Sequence, residues 1–532
     1  MNYSNFNLTD DHSLNIALAL DYCKKNGVTE LTFPKDTYVL KPQRASERAL
    51  SISNHNIHNF VSIAMLIEDM ENFTVDGGGS TFVCDGVMIT AAILRSKNIT
   101  LKNMTLYVKE HMRAEATVTA VGEGYFDFEV TNDTEYYINN DGMLCFKNSY
   151  GQDDPYHYYI IVCRENDEKG YIPETVESFK KDITFEKLGE RSMRLNNPLY
   201  MPEVGMRIIL APRTRYGTTI FAENSKNTAF ENVTVHTSYG MGIMAQLCEN
   251  VSIDRLAVSQ KDGALHSTNN DATHFVHCTG TVKVTNSFFE GMLDDALNAH
   301  GLYNMVERVD EKGILVRDMH PGSKGIDIYN VGCHIAVMDQ RLLIPIKTYT
   351  IADTLMINSE YFYLTLSEGT DGIKVGHVCE ELEHTPDIIF EGNTVQNNRA
   401  RGMLLAAHGK TVVRNNYFHT PGISVMFESS GDFWFEAGNT EDVLIENNVF
   451  DNCGYATGAW GKGIIEVKKR KDFDGENYYH KSITVVNNEF KDNARPMLIA
   501  CNVENITFKG NTTNNIVSPN EFINCKNVVE EL

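Results

Sequence analysis

Positive charge is scarce in this chain: 47 lysines and arginines stand against 71 aspartates and glutamates, a formal net charge of −24 over 532 residues. Such an acidic surface excludes electrostatically driven binding to DNA, RNA or an anionic membrane. It also argues against a polyanionic substrate unless a basic pocket is hidden locally. No run approaches 18 consecutive apolar residues, so no helix can span a bilayer. The first eleven residues, Met1 to Asp11, lack a basic segment followed by an apolar one, so no signal peptide is legible. The expected compartment is the cytoplasm, or outside a bacterial cell after removal of a leader. The eleven cysteines, Cys23 to Cys525, have no paired spacing and no CxxC, which removes a disulfide framework and leaves buried free thiols as the expectation.

What the chain does have is asparagine, fifty of them, recurring at one place in a short motif. Lys97-Asn-Ile-Thr-Leu-Lys-Asn-Met-Thr-Leu, Lys226-Asn-Thr-Ala-Phe-Glu-Asn-Val-Thr-Val and Ser482-Ile-Thr-Val-Val-Asn-Asn-Glu-Phe each place an asparagine between two short alternating apolar runs. Asn227 to Asn250, Asn393 to Asn416 and Asn488 to Asn511 are all 23 residues apart; Asn416 to Asn448 is 32 and Asn448 to Asn488 is 40, as if loops had been inserted into a turn. Leucine-rich repeats share this period, but their Leu-x-x-Leu-x-Leu pattern is absent. The expected fold is therefore all-β, a right-handed parallel β-helix with asparagine at its corners, where a left-handed backbone and a hydrogen bond to the next coil are both needed. Sequons such as Asn98-Ile-Thr and Asn505-Ile-Thr fall inside apparent strands, which points to a bacterial source.

His12 to Lys25 reads as an amphipathic helix with Leu14, Ile16, Leu18, Ala19 and Tyr22 on its apolar face and Gly27 as its stop, placed to cover the open end of the solenoid. The repeat lapses in two stretches of period-two segments, read as antiparallel, barrel-like insertions. The predicted organisation is 1–106 (cap and first coils), 107–220 (first insertion), 221–302 (central coils), 303–384 (second insertion) and 385–532 (last coils).

The chemistry concentrates in 266–301. Asp271 and Asp294 are 23 residues apart, as are His277 and His300, and Ala272 and Asp295. This predicts that Asp271 lies beside Asp294 on the neighbouring coil, about 4.8 Å away at the backbone, with Asp295 next along the chain. A corner or bulge must then turn both members of the Asp pair into one cleft. Three clustered carboxylates repel, so at least one pKa rises while others stay ionised, which supplies an acid and a base together, as glycosidic hydrolysis requires. A calcium-assisted lyase is the competing use of the same carboxylates. Equal counts from the asparagine ladder place Arg401 in the column of Asp294, and Asn298 and Glu428 on one face. Trp434 is a candidate to stack on a sugar ring, and His300 and His274 are candidates to bind substrate or a carboxylate. His266, His274 and His277 carry no legible metal-ligand set, so no metal and no cofactor is expected.

Asn270-Asp271, Asp294-Asp295 and His300-Gly301 resemble the Asn-x-Asp, Asp-Asp and His-Gly layout of polygalacturonases, which are inverting β-helix glycosidases. The longer stretch, Asn270-Asp-Ala-Thr-His-Phe with Phe289-Glu-Gly-Met-Leu-Asp-Asp-Ala-Leu-Asn-Ala-His-Gly, is more similar to glycoside hydrolase family 110. Those are bacterial exo-acting α-1,3-galactosidases, some of which remove the terminal galactose of blood group B-type glycans. The resemblance implies Asp294 as general acid, with Asp271 and Asp295 holding and deprotonating the water, and inversion of the anomeric centre. Inversion carries the expectation of roughly 6.5–9.5 Å between acid and base. The implied partner is a galactose-terminated oligosaccharide or glycoconjugate, with no nucleic acid, no membrane span, and a homodimer as the assembly to test. A polygalacturonase-like endo-enzyme, which would need a basic groove for which Lys468 to Lys471 is the one basic run, and a non-catalytic glycan-binding β-helix are the alternatives.

Overall fold

The computed structural model describes residues 1–55, 60–109, 112–147, 154–166, 170–177, 182–198, 200–212, 214–261, 263–456 and 461–532. Two long parallel sheets run the length of a β-helix. One is built from segments such as Lys97–Val108, Lys226–Val235, Glu249–Val258, Asp387–Glu391 and His480–Val486. The other stacks Ile89–Leu94, Ile220–Glu223, Ile243–Gln246, Thr273–Val276, Leu297–Val309, Met403–Ala406 and Val425–Phe427. Burial alternates along the strands of the first sheet, whose every second side chain enters one core shared by the coils, whereas strands of the second, such as Thr273–Val276 and Met403–Ala406, are buried throughout. Inside it, Phe390, Phe418, Phe450 and Phe490 stack coil upon coil with ring centroids 4.8–6.3 Å apart. Burying each such ring contributes about 1.5–3 kcal/mol.

The asparagines divide the two tasks expected of them between neighbours. Asn415, Asn447 and Asn487 take the left-handed conformation, with φ of 55–58°, and glycine does the same at Gly392 and Gly510. The residue after each is the ladder asparagine. The backbone and side-chain amides of Asn393, Asn416, Asn448 and Asn488 donate to the Oδ1 of the next rung, at 2.8–3.2 Å, and the series ends at Asn511. A second, exposed ladder joins Asn72, Asn98, Asn227 and Asn250 at 2.7–3.0 Å, and all four are left-handed.

The cap helix is His12–Asn26, with Asp11 capping its start and Gly27 left-handed at its end. Its buried face is Ile16, Ala19, Leu20 and Cys23, whereas Leu18 and Tyr22 are exposed. The apolar stripe thus lies about one position round from the expected one, because Ser13 and Asn15 are also buried and satisfied, by the Lys41 amide and by Thr9.

The parallel stack leaves off at Val108 and resumes at Ile220, and Lys97–Val108 pairs directly with Lys226–Val235 across that gap. Between them lies an antiparallel sheet that begins with Ala114–Gly122, ends with Arg207–Pro212 and has its own core around Val118, Phe126, Phe128 and Ile208. The sheet curls so that its end strands, Tyr136–Ile138 and Thr184–Lys187, come together, and the Phe185 amide donates to the Gly142 carbonyl at 2.6 Å. The second insertion closes. Leu297–Val309 pairs with Gly313–Arg317, then Tyr361–Leu366, Pro345–Met356, His334–Met338 and Val378–Glu381, which returns to Leu297–Val309. One strand therefore belongs both to the β-helix and to a six-stranded antiparallel barrel.

Asn448→Ala removes two accepted and two donated bonds at a buried rung, to Asn416, Asn488 and the Val413 carbonyl. Denaturant unfolding is expected to register a loss of about 2–3 kcal/mol. At exposed, left-handed Asn98, alanine should cost about 1 kcal/mol and glycine close to nothing.

Candidate active site

The outer face of the shorter-stranded parallel sheet carries the site. In Leu297–Val309 the side chains of Leu297 and Ala299 enter the core, so Asn298 and His300 point outward; in Thr273–Val276, Phe275 points in and His274 out. The coil joining these strands is one residue longer than the 23 expected. Thr273 pairs with Leu297, His274 with Asn298 and Val276 with His300. The extra residue sits in a bulge at left-handed Gly280, where the register shifts against Glu249 and Val251. Asp271 therefore lies beside Asp295, whose backbone amide donates to Asp271 Oδ1 at 3.3 Å, and not beside Asp294 as the equal spacing predicted.

Asp294 and Asp295 occupy a bend just before the strand, which frees both side chains from strict alternation. Their backbone is held from both sides. Asn398 Nδ2 donates to the Asp294 carbonyl at 3.0 Å and Arg399 Nη1 to the Leu293 carbonyl at 2.9 Å. Leu293 itself is buried against Ile161, Cys163, Ile209 and Leu265, so the first insertion packs directly on the residue before Asp294.

Arg401 is the main counter-charge. Its Nε and Nη2 reach the two oxygens of Asp295 at 2.8–3.2 Å, its backbone amide donates to Asp295 Oδ1 at 3.0 Å, and Nη2 stands 3.6 Å from Asp294. Arg401 falls in the column of Asp295 because Asn393 aligns with Ser287, whose amide donates to Asn393 Oδ1 at 2.9 Å; its partner at the left-handed corner is Gly392 against Asn286. Burial works against the Arg401 charge, yet Asp295 and then Asp294 outweigh it and hold the guanidinium above its ordinary value. Burial also pushes Asp295 up while Arg401 pulls it down. The geometry decides: three donors converge on its oxygens, so Asp295 is the carboxylate of a buried ion pair.

Asp271 has no such partner. Burial first and the neighbouring Asp294 second push its pKa up to about 8. His274 Nδ1 lies 2.6 Å from its Oδ2, and burial, then His300, keeps His274 well below the ordinary histidine range. His274 is fully buried with both ring nitrogens engaged, so it stands behind Asp271 and presents no free nitrogen to a substrate. Each of the three carboxylates offers an oxygen within 4.8 Å of the others. That is tighter than the wide acid–base gap expected.

The other candidates are dispersed around this centre. Asn298 is buried, but its Oδ1 has no hydrogen-bond partner, and the same holds for Asn270 Oδ1. Asn298 shares its column with His274, Leu404, Met426 and Glu466, whereas Glu428 lies two residues further along its own coil, so the two are not on one line. Burial raises the Glu428 carboxyl above its ordinary value. Trp434 is 42% exposed, with its ring 5.2 Å from His320 of the second insertion and 5.0 Å from Phe433.

Residues 358–528 match the family described as "Right handed beta helix region". Alpha-1,3-galactosidase A of Shewanella woodyi is 30% identical over 97% of this chain and 85% of its own. Alpha-1,3-galactosidase B of Phocaeicola vulgatus is 31% identical over 91% and 85%. The chain belongs to the α-1,3-galactosidase family. An exopolygalacturonase from Thermotoga maritima, 12% identical, aligns over 98% of this chain and 88% of that one with a TM-score of 0.46.

Several members of the site were invisible to spacing because they arrive from outside the repeat. Glu115, in the first insertion, accepts from the Leu265 amide at 3.0 Å and pairs with His266 at 2.8 Å. Arg215 bonds the Asn54 carbonyl at 3.0 Å and pulls on Asp271 by charge. Glu436 stands 3.6 Å from His300. His277 likewise gains partners from the barrel end, Glu381 at 3.3 Å and the ring of His384, stacked at 4.9 Å and 25°. His277, Glu381 and His384 each offer a ligand atom within 4.8 Å of the others.

Asp271 keeps its proton to about pH 8 in the fold and loses it near pH 4 when unfolded. Its contribution to stability is therefore fully present below about pH 4 and disappears as pH rises to about 8. Asp271→Asn should gain on wild type in thermal stability between pH 5 and 8, with the two equal near pH 4, as scanning calorimetry across that range would record. Arg401→Met strands Asp295 and is expected to cost about 3–5 kcal/mol, part of it recovered by adding Asp295→Asn.

Proposed function

We propose that this chain, as a glycoside hydrolase, removes terminal α-1,3-linked galactose from glycans with inversion of the anomeric carbon. The observation that carries the assignment of roles is the difference among three neighbouring carboxyls. Asp294 has 18% of its side chain exposed, whereas Asp271 has 5% and Asp295 none. Asp294 can reach a glycosidic oxygen in the cavity and serves as general acid. Asp295, the carboxylate paired with Arg401, takes the proton of a water that Asp271 helps to hold alongside it.

On separation alone, oxygens within 4.8 Å would fit a retaining enzyme, for which the carboxyl groups stand about 5–5.5 Å apart. Tethering argues the other way. A nucleophile must leave its contacts to bond the anomeric carbon, but Asp295 is held by Arg401 on both oxygens, and Asp271 is held by His274 and the Asp295 amide. Neither is free to make that bond, while a water between them is.

Asn298, with its unpartnered oxygen, and Glu428 would take sugar hydroxyls, Arg401 and His300 would set the floor of the subsite, and Trp434 at the rim would stack on a ring face. A neutral substrate is supported by what became of the one basic run. Lys468 pairs with Glu466 at 3.1 Å, Arg470 is buried on the Ser429 carbonyl at 2.7 Å, and Lys471 pairs with Asp432. Three of the four basic residues of that run are thus taken up by carboxylates or burial, and Lys469 is exposed.

Proton NMR of the first turnover on Galα1,3Gal is expected to record β-galactose first; the α-anomer first would show that a carboxylate does attack the sugar. Asp294→Asn should lower kcat by about 10²–10⁴-fold with little change in KM. Activity should survive EDTA, and loss with recovery by calcium would favour the metal-assisted alternative.

A further inference from the structure

Where the second insertion returns to the β-helix, side chains from three parts of the chain meet. His277 follows the strand Thr273–Val276 at a left-handed corner, with φ of 52°. Glu381 ends the barrel strand Val378–Glu381, and His384 lies in the link from there to Asp387–Glu391. The side chains of His277 and Glu381 are wholly buried, and that of His384 is 19% exposed. Counting along the repeat could not show this set, because the barrel separates its members in sequence. Neither ring nitrogen of His277 makes a hydrogen bond, which is a costly state for a buried polar group. Its Nε2 stands 3.3 Å from Glu381 Oε2. An aligned N–H at that distance would be a hydrogen bond, so the axis of the nitrogen runs to the side of the oxygen. Two ligands of one tetrahedral ion have this relation. With bonds of about 2.0–2.1 Å they lie about 3.3–3.4 Å apart, each aimed at the ion and not at the other. Two imidazoles on such an ion have ring centroids about 5 Å apart by the same geometry. Those of His277 and His384 are 4.9 Å apart.

We infer that His277, Glu381 and His384 form a structural zinc site that staples the barrel to the β-helix. Two nitrogens and one carboxylate oxygen suit zinc, whereas calcium and magnesium take oxygen donors. The carboxylate is already oriented, since the Glu383 amide donates to Glu381 Oε1 at 3.3 Å and the His384 amide to Oε2 at 3.1 Å. Without the ion, His384 Nδ1 lies 2.5 Å from Glu381 Oε2 and shares a proton with it. Zinc takes the place of that proton, which passes to solvent, and His384, on the open side, draws back to the wider spacing of two ligands. Water on that side completes the coordination. Cys333 and Glu383 also offer atoms within 4.8 Å of each other and of Glu381. Glu383 is committed elsewhere, to the amide of His334 at 2.9 Å and its ring at 2.6 Å, so that set adds negative charge beside the ion and is not the cage. The backbone amide of His277 donates to the His300 carbonyl at 2.9 Å. An ion that holds the His277 ring therefore also steadies the strand which the barrel shares with the β-helix. None of this depends on which sugar the chain cleaves.

Titration calorimetry on the full chain, stripped with a chelator and dialysed, tests this with Zn²⁺ and, for contrast, Ca²⁺. One Zn²⁺ per chain should bind with a Kd below about 1 μM, and Ca²⁺ at least about 100-fold more weakly. Saturating Zn²⁺ should also raise the melting temperature of the stripped chain by about 2–4 °C. His384→Gln keeps a polar side chain at a partly exposed position but removes the imidazole. It should weaken Zn²⁺ binding at least about 100-fold and abolish the thermal shift. His277→Asn, which suits the left-handed corner, should do the same. If His277→Asn does not fold, His384→Gln decides alone. A wild type that binds no Zn²⁺, or that binds Ca²⁺ as tightly, overturns the inference. Zn²⁺ binding that survives His384→Gln overturns it too, since the ion would then sit elsewhere, as on the three aspartates. These measurements use no substrate, so a chain that releases no galactose would fail the functional reading and leave the zinc result standing by itself.

Discussion

Parallel pairing between coils is the constraint on which the site rests, because a register error of one residue moves every side chain to the wrong face. The register is set at corners, not along strands. At each turn a left-handed residue (Gly392, Asn415, Asn447, Asn487 or Gly510) makes the bend, and the asparagine after it bonds the neighbouring coil through its side chain. The same control admits a deliberate exception. The bulge at Gly280 lengthens one coil by a residue, which brings Asp271 against Asp295 and leaves Asp294 at the bend, partly exposed.

That placement concentrates charge, and the surrounding groups answer it. Two carboxylates at 4.8 Å repel by about 3–4 kcal/mol at an effective dielectric near 20, so three of them ionised together would oppose folding strongly. Arg401 offsets one charge by binding Asp295, and a proton held on Asp271 removes another. Asp294 makes only a distant contact with Arg401, at 3.6 Å, and is the most exposed of the three. The difference between Asp271 and Asp295 thus follows from burial and from which oxygens the guanidinium reaches, not from the acidity of the chain as a whole.

How much of this was legible depends on whether a residue belongs to the repeat. The asparagine spacing gave away the parallel β-helix, because ladder residues must recur once per coil. It also located the three aspartates. It failed by one residue at Asp294 and Arg401, since counting assumes equal coils and cannot register a bulge at Gly280 or a rung formed by Ser287. The cap helix was legible from Asp11 and Gly27, but its buried face was misjudged because Ser13 and Asn15 are buried polar residues. Glu115, Arg215 and Glu436 left no trace in spacing, as they are carried by insertions and loops whose positions only the folded chain determines.

Those insertions are best understood as the part of the fold that holds the Asp294 bend and the strand carrying Asn298 and His300 still. A bend such as Leu293-Asp294-Asp295 would be mobile if it faced water, and a catalytic carboxyl displaced by about 1 Å loses much of its effect. Here Leu293 is buried under Ile161, Cys163 and Ile209 of the first insertion, while Glu115 of the same sheet fixes His266 and the Leu265 amide. From the other side, the strand carrying Asn298 and His300 does not end at the site but continues into the closed barrel, where Tyr303 and Met305 pair with Val378–Glu381. A strand shared by two sheets cannot shift in one without breaking pairing in the other. The bare β-helix would supply the register, and the two insertions convert that register into fixed positions for the groups that do the chemistry.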